Sequence, residues 1–403
     1  MPTSEPMPSS PSPNDLVTQV LTTWPVFDGH NDLPHALRAK AGYSVDGLDR
    51  LRPEFHTDLV RLRRGGVGAQ FWSVWAPTEL SAGAAVQGTL EQIDAVHRLV
   101  AAYPDVLAFA RTGDDVRRAW RDGRIASLIG VEGGHSMGRA PAVLRMLARL
   151  GVRYMTLTHS ENVPWADSAT DEPAAGGLTD EGRAVVALME SLGVIVDLSH
   201  VAATTMRDAV DVARRPVLFS HSSAFAVTPH PRNVPDDVLE RLGANGGVVQ
   251  ATFVPGFVSE AYWRWQDAGR EAVAPGSGPL GGGEPWPEAP RAGEALEQTM
   301  ARTRPEPGGP TAFAAWAADN PAPHVGIADV VAHVEHLREV AGIDHVGLGG
   351  DYDGVFRQPE GLEDVSGYPR LLAALAERGW SGADLAKLTS QNVLRVLDAN
   401  PVP

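Results

Sequence analysis

The sequence predicts a closed (β/α)8 barrel of the TIM type, an α/β fold that takes in most of the chain. Three observations carry this. Eight short runs are apolar at nearly every position, as strands are when both faces of a parallel sheet are covered. Stretches of helical period separate them. Lastly, Asp32, Glu132, His159, His200, His221 and Asp351 all fall at or just past the C-terminal ends of those runs, the face on which such barrels do their chemistry.

The elements follow in order. A helix over 16–23 leads into a strand at 26–29, and a helical stretch at 58–65 precedes the strand 67–75. The helix over 89–102 shows Ile93, Val96, Leu99 and Val100 on one face. Strand 125–132, helix 142–150, strand 154–159, helix 179–192, strand 194–200, helix 203–213 and strand 216–221 follow. A short helix at 235–242, with Asn233 as its candidate cap, leads to strand 247–253, the seventh. After a helix at 327–341 comes the last strand, 345–351, then helices near 368–378 and 381–397. Between strand seven and its return helix, 255–323 is rich in Gly and Pro and reads as a long insertion, with helical patches near 259–272 and 293–302. The expected organisation is a disordered tail over 1–15 and a single domain over 16–403.

Composition narrows the function. A 43% hydrophobic and 21% charged chain of 403 residues suits an enzyme-sized globular protein, and a net charge of −16 argues against general binding to nucleic acid or an anionic membrane. The sequence has no cysteine, so a metal would be held by His, Asp and Glu. No signal peptide is legible in the first residues, no apolar run reaches membrane-helix length, and Asn400-Pro401-Val402-Pro403 is no lipid-anchor signal. The expected location is the cytoplasm.

Pro25-Val26-Phe27-Asp28-Gly29-His30-Asn31-Asp32 ends an apolar run with an imidazole and a carboxylate on alternate residues, which an extended backbone points to one side. On its own, a His-x-Asp is equally a capped turn. Glu132 leaves its strand into Gly133-Gly134, where it could bridge two cations with its two oxygens or cap a helix. His200 and His221 end neighbouring strands in matching contexts, Leu198-Ser199-His200 and Phe219-Ser220-His221. A lone histidine there is more often a hydrogen-bonded core residue, but two at the same depth favour ligands. Three imidazoles and two carboxylates suit Zn2+, with other divalent metals as alternatives. Five ligands exceed one tetrahedral ion's need and point to a two-metal site, with ions about 3.5 Å apart, that activates water for hydrolysis.

Several motifs together resemble the membrane (renal) dipeptidase family: Asp28-Gly29-His30-Asn31-Asp32, Val131-Glu132-Gly133-Gly134-His135, Thr156-Leu157-Thr158-His159, the segment NVPWADS from Asn162 to Ser168, Asp197-Leu198-Ser199-His200, Phe219-Ser220-His221-Ser222-Ser223, Arg232-Asn233-Val234-Pro235-Asp236-Asp237 and Gly349-Gly350-Asp351-Tyr352-Asp353-Gly354. They run in order from about Val26 to Leu397, and the likeness is weakest over 255–323. The resemblance implies a zinc dipeptidase on an amidohydrolase-like barrel. It implies one zinc on His30, Asp32 and Glu132, a second on Glu132, His200 and His221, substrate contacts from His159 and Arg232, and proton handling by Asp351. It also suggests a homodimer and tolerance of a D-residue at the C-terminal side. Membrane attachment and the disulfides of secreted animal members are not carried over.

The roles have physical grounds. Asp351 could take a proton from the metal-bridging hydroxide or water and deliver it to the leaving amine, with Asp353 as a competing candidate and a helix cap as the plain alternative. His159 could donate to the developing oxyanion, or simply pack. Arg232 could clamp the free carboxylate of a dipeptide, although an arginine on a loop is ordinarily just solvated. The catalytic set is therefore Asp351, His159 and Glu132, and the substrate set His159, Arg232 and Asp351. Trp165 is expected to pack, and His135 to orient ligands. His333 and His336 read as helix-surface or packing residues, and His35, His56, His97 and His324 lack a strand-end context. The expected activity is hydrolysis of small L-L and L-D dipeptides. The alternatives are hydrolysis of N-acyl amino acids, lactams or lactones, or metal-dependent decarboxylation on the same ligands.

Overall fold

The computed structural model describes residues 11–273 and 312–403. The helical patch expected at 293–302 and the first ten residues of the expected tail lie outside them. Among the described residues, nine strands form one parallel sheet: β1 (Val26–Asn31), β2 (Val67–Trp75), β3 (Leu107–Phe109), β4 (Ile125–Glu132), β5 (Val152–Thr156), β6 (Ile195–Asp197), β7 (Leu218–Phe219), β8 (Val248–Ala251) and β9 (Val346–Leu348). The order β2-β1-β9-β8-β7-β6-β5-β4 returns on itself because β4 also pairs with β2, so eight strands close the expected barrel.

Strand β3 was not foreseen. It lies on the edge of β4 opposite β2, pairing Leu107 to Phe109 with Ile125 to Ser127, below the point where β5 takes over that edge at Ile129. The β2–β4 seam is the longest, seven consecutive pairs from Ala69↔Ala126 to Trp75↔Glu132. It brings Glu132 level with the end of β2.

Alternation along the strands divides the core in two. Val74, Ile129, Val131, Met155 and Val249 face the outer helices. Phe27, Phe71, Leu128, Tyr154, Ile195, Leu218 and Val248 form the barrel interior, closed by Leu394 and Leu397 of the helix Asn392–Ala399. Burial of these two layers, the larger of them between strands and helices, is the main stabilising term, at about 25 cal/mol per Å2 of apolar surface. Stacked Phe27 and Phe71 at 5.4 Å, and Tyr154 against Phe71 at 4.8 Å, make an aromatic plug beneath the catalytic face.

The helices are largely where the periodicity puts them, with informative differences. The first starts at Pro13, capped by the Ser12 hydroxyl, and runs to Thr23. The second-strand return helix starts earlier than expected, at Ala82 with Ser81 as cap, and reaches Ala102. Helices Leu33–Ala41 and Gly113–Arg121 were not foreseen. Asn233 does not cap Asp236–Asn245, whose cap position is Pro235. Instead it accepts from Ser223 N and donates to the carbonyls of Thr228 and Phe257, bracing the loop that carries Arg232. Of the insertion, Pro255–Val258, Glu260–Val273 and Ala312–Asp319 are helical. The last two pack through Trp265, Phe313 and Trp316, at 5.4 to 5.7 Å between rings. Among the described residues, no helix is long and apolar enough to cross a membrane.

Candidate metal centre

Strands β6 and β7 are shorter than the sequence suggests, because side chains take over their hydrogen bonds just where the site begins. The Asp197 carboxylate accepts from Ser199 N and Ser220 N, and the Ser199 hydroxyl accepts from His221 N. Backbone donors past the strand ends are thus satisfied without a ladder. This frees the chain to turn, and His200 adopts φ 68°, in the left-handed region that non-glycine residues rarely occupy. Asp351 does the same at φ 56° after β9.

These turns bring together all seven strand-end residues singled out in the sequence. His30, Glu132 and His221, then Glu132, His159 and His200, then His30, Asp32 and Asp351 form three overlapping groups, each with donor atoms within 4.8 Å of one another. Glu132 sits between two nitrogen sets. Its Oε2 lies 3.5 Å from His30 Nε2, while its Oε1 lies 2.8 Å from His200 Nε2, 3.5 Å from His221 Nε2 and 3.6 Å from His159 Nε2. Asp32 Oδ2 is 3.3 Å from His30 Nε2, and the Nε2 atoms of His200 and His221 are 2.9 Å apart.

Burial dominates the electrostatics. It would raise Glu132, yet the facing imidazoles of His30 and His159 and the hydrogen bond from His200 hold that carboxyl well below the usual range. Burial, with Arg232 and neighbouring imidazoles, pushes His200 and His221 well down, and burial takes His159 to about 4. These rings are therefore neutral at ordinary pH, the form that ligates metal. Asp351 is pushed well up by burial and by the Asp32 carboxylate beside it. Gly354 makes room for that pair, since a Cβ there would strike Asp32 Oδ2 and Asp351 Oδ1.

The donor set fits a divalent cation on an observation beyond residue type. His30 is fully buried and its Nδ1 meets the Tyr154 hydroxyl at 2.9 Å, but its Nε2, aimed at Glu132 and Asp32, has no hydrogen-bond partner. A buried nitrogen left so is costly unless something else occupies its lone pair.

Arg232 is not the solvated loop arginine that residue type alone suggests. It is buried, its guanidinium 5.1 Å over the Phe257 ring, with long contacts to Ser222 Oγ at 3.5 Å and the His221 carbonyl at 3.4 Å, and an unpartnered Nε. Burial lowers it to about 10, so it stays charged at neutral pH. Asp353 faces elsewhere: its Oδ1 accepts from His56 N at 2.8 Å, and its own N–H donates to His56 Nδ1 at 3.1 Å. His135 is tied through Nε2 to the Ala76 carbonyl at 2.7 Å, and Trp165 is buried. His333 is wholly buried, accepting at Nδ1 from Ala224 N, while His336 pairs with Asp236 at 2.8 Å.

Sequence reasoning missed Tyr154, Asp197, Ser220, Phe257 and Asp28, whose carboxylate ties β1 to the end of β9 through His30 N and Gly350 N. The repeated Ser-His at 199–200 and 220–221 was a signal for Ser220. Tyr154, one tyrosine in an apolar strand, gave none that separates it from core.

Comparison with known proteins points one way. The model of the membrane dipeptidase family, peptidase family M19, matches residues 15–401. Dipeptidase tcpJ of Claviceps purpurea is 38% identical over 383 residues, 92% of this chain and 76% of that protein. The probable dipeptidase PvdM from Pseudomonas aeruginosa superposes with a TM-score of 0.79 at 24% identity, covering 96% of this chain and 98% of that one. A metallopeptidase from Rhodobacter sphaeroides, liganded with a phosphinate mimic of L-Ala-D-Ala, gives 0.72 at 23%, covering 94% and 99%. At these identities, the two structures speak for the fold.

Proposed function

The chain belongs to the membrane dipeptidase family and is a peptide-bond hydrolase; from that membership we propose a two-zinc dipeptidase acting on small L-L and L-D dipeptides. The observation that carries the metal reading is Glu132, whose two oxygens face different nitrogens, Oε2 toward His30 and Oε1 toward His200 and His221. His30 and Asp32 would hold one ion, His200 and His221 the other, with Glu132 shared. Zinc is preferred over other divalent ions by the nitrogen-rich, sulfur-free donors. Bound there, the metals would polarise the scissile carbonyl and lower the pKa of the attacking water.

The chain's own side chains supply the rest. Hydrolysis adds the water oxygen to the carbonyl carbon, breaks the C–N bond and puts a proton on the leaving nitrogen. Asp351 takes the proton from water on its carboxylate and returns it to that nitrogen. His159, walled by Trp75 at 5.1 Å, donates from Nε2 to the developing oxyanion. Arg232, charged, buried and with Nε free of partners, takes the substrate's terminal carboxylate. The phosphinate mimic of L-Ala-D-Ala in the Rhodobacter sphaeroides relative supports including D-residues on the C-terminal side.

The test is turnover of L-L and L-D dipeptides by zinc-loaded protein, alongside the same peptides amidated at the C-terminus, with products weighed by mass. Cleavage with gain of water and dependence on the free carboxylate is the expected result. Equal turnover of amidated peptides or of N-acyl amino acids favours a broader amide or lactone hydrolase, and loss of carbon dioxide favours a decarboxylase.

A further inference from the structure

The two halves of the centre are reached by different buried hydrogen-bond chains. On β1, His30 Nδ1 lies 2.9 Å from the Tyr154 hydroxyl, whose single proton goes to the Gly29 carbonyl at 3.3 Å. With the tyrosine proton on Gly29, the ring donates from Nδ1 to the tyrosine oxygen in the tautomer that leaves the lone pair on Nε2, the atom facing Glu132 and Asp32. Tyr154 arrives from β5, on the far side of the barrel. It can cross only because Gly130 of β4 has no side chain: a Cβ at Gly130 would sit within the Tyr154 ring. The ring is also held from below by Phe71.

After β7 the device differs. His221 Nδ1 lies 2.9 Å from Ser220 Oγ, and Ser220 Oγ donates to Asp197 Oδ2 at 2.7 Å. Asp197 is fixed in turn by Thr156 Oγ1 at 2.6 Å and Ser220 N at 2.8 Å. With the serine proton committed to the carboxylate, His221 also donates from Nδ1 and offers Nε2 inward. Partners of this kind set a ligand's tautomer and orientation. Among the described residues no hydrogen bond links the two relays: the Tyr154 hydroxyl bonds His30 and the Gly29 carbonyl, and the two chains meet only at the ligands, where the His30 and His221 rings lie 3.8 Å apart and both face Glu132.

We propose that each half of the centre has its own positioning relay, Tyr154 for His30 and Ser220 with Asp197 for His221, so that loss of one relay loosens one ion and spares the other. This rests on reading His30, Asp32, Glu132, His200 and His221 as ligands. Tyr154→Phe and Ser220→Ala remove one hydroxyl each with almost no change of volume. Gly130→Ala, which displaces the Tyr154 ring, serves as an independent route to the first defect.

The measurement is stepwise zinc release from the full-length protein to a chromophoric chelator, with thermal unfolding of the metal-free variants as the folding control. The expected result is a roughly 10- to 100-fold weaker affinity for one of two ions in Tyr154→Phe. Gly130→Ala should copy it, Ser220→Ala should weaken the other ion, and the Tyr154→Phe, Ser220→Ala double variant both. Unchanged release in the folded single variants, or equal weakening of both ions by either one, overturns the relays alone. Wild-type protein that takes up no zinc, or His30→Ala that keeps two ions, overturns the ligand reading beneath them.

Discussion

His200 presents its Nε2 at 2.8 Å from Glu132 Oε1, and it does so from a left-handed backbone position three residues past the end of β6. That contact draws one carboxylate oxygen toward the His200 and His221 side while Oε2 stays with His30 at 3.5 Å. Glu132→Gln replaces one of these oxygens by an amide nitrogen that cannot ligate. Metal affinity should fall by more than the roughly 10- to 100-fold of an outer partner's loss, and turnover should nearly vanish. Metal content and activity on a dipeptide check this. A Gln variant with full metal and near wild-type turnover removes Glu132 from the bridging position.

Asp351 touches the centre through Asp32, and burial with that neighbouring carboxylate pushes its pKa well up, so it takes up a proton readily, which suits proton carriage better than ligation. Asp351→Asn should keep its metal and lose about 10²- to 10⁴-fold in kcat, the usual worth of a general acid–base group. Simultaneous measurement of zinc content distinguishes the roles, because loss of an ion with the activity makes Asp351 a ligand.

Arg232 lies over Phe257 with its Nε unpartnered, a buried charge with a donor to spare for the carboxylate proposed as its partner. Arg232→Met should lower kcat/KM for free dipeptides by about 100-fold, close to 3 kcal/mol, and change it little for C-terminally amidated ones. If both substrates fall equally, the arginine supports the fold of the loop and does not read the carboxylate.

The barrel and the strand-end residues were legible because both rest on local pattern: apolar runs set the strands, and a His or Asp at the end of one needs no partner to be noticed. What the sequence hid depends on distance across the barrel. Tyr154 looks like any core aromatic until Gly130 is seen beneath its ring and His30 beyond it. Arg232 reads as solvated because its burial is made by Phe257 from the insertion, a segment whose Gly and Pro content conceals its helices. Asn233 has a capping residue's chemistry but spends it on two carbonyls of its own loop and the insertion.

His333 shows the same non-local effect and gives a stability prediction. Nothing in its helix, Ile327–Ala341, marks it as more than a packing residue, yet its Nδ1 accepts the Ala224 N–H at 3.0 Å and its Nε2 meets Thr228 Oγ1 at 3.2 Å. A proton on Nδ1 would face a backbone donor in a dry site. Burial lowers the ring to about 4 from an ordinary 6.5. Above the unfolded value both states are neutral and the contribution is complete. As pH falls from 6.5 through about 4 the unfolded chain takes the proton first, so stability is lost across that window and no further below it. Between about pH 7.5 and about pH 5 the loss from this one ring is on the order of 2 kcal/mol. His333→Leu should be less stable than wild type by about 1–3 kcal/mol at about pH 7.5, since the Ala224 N–H loses its acceptor. It should also lack this part of the acid loss, so the gap narrows by about 2 kcal/mol on going to about pH 5. Urea unfolding of both proteins at the two pH values checks it, and a gap that stays constant rules out His333 as a source of acid sensitivity.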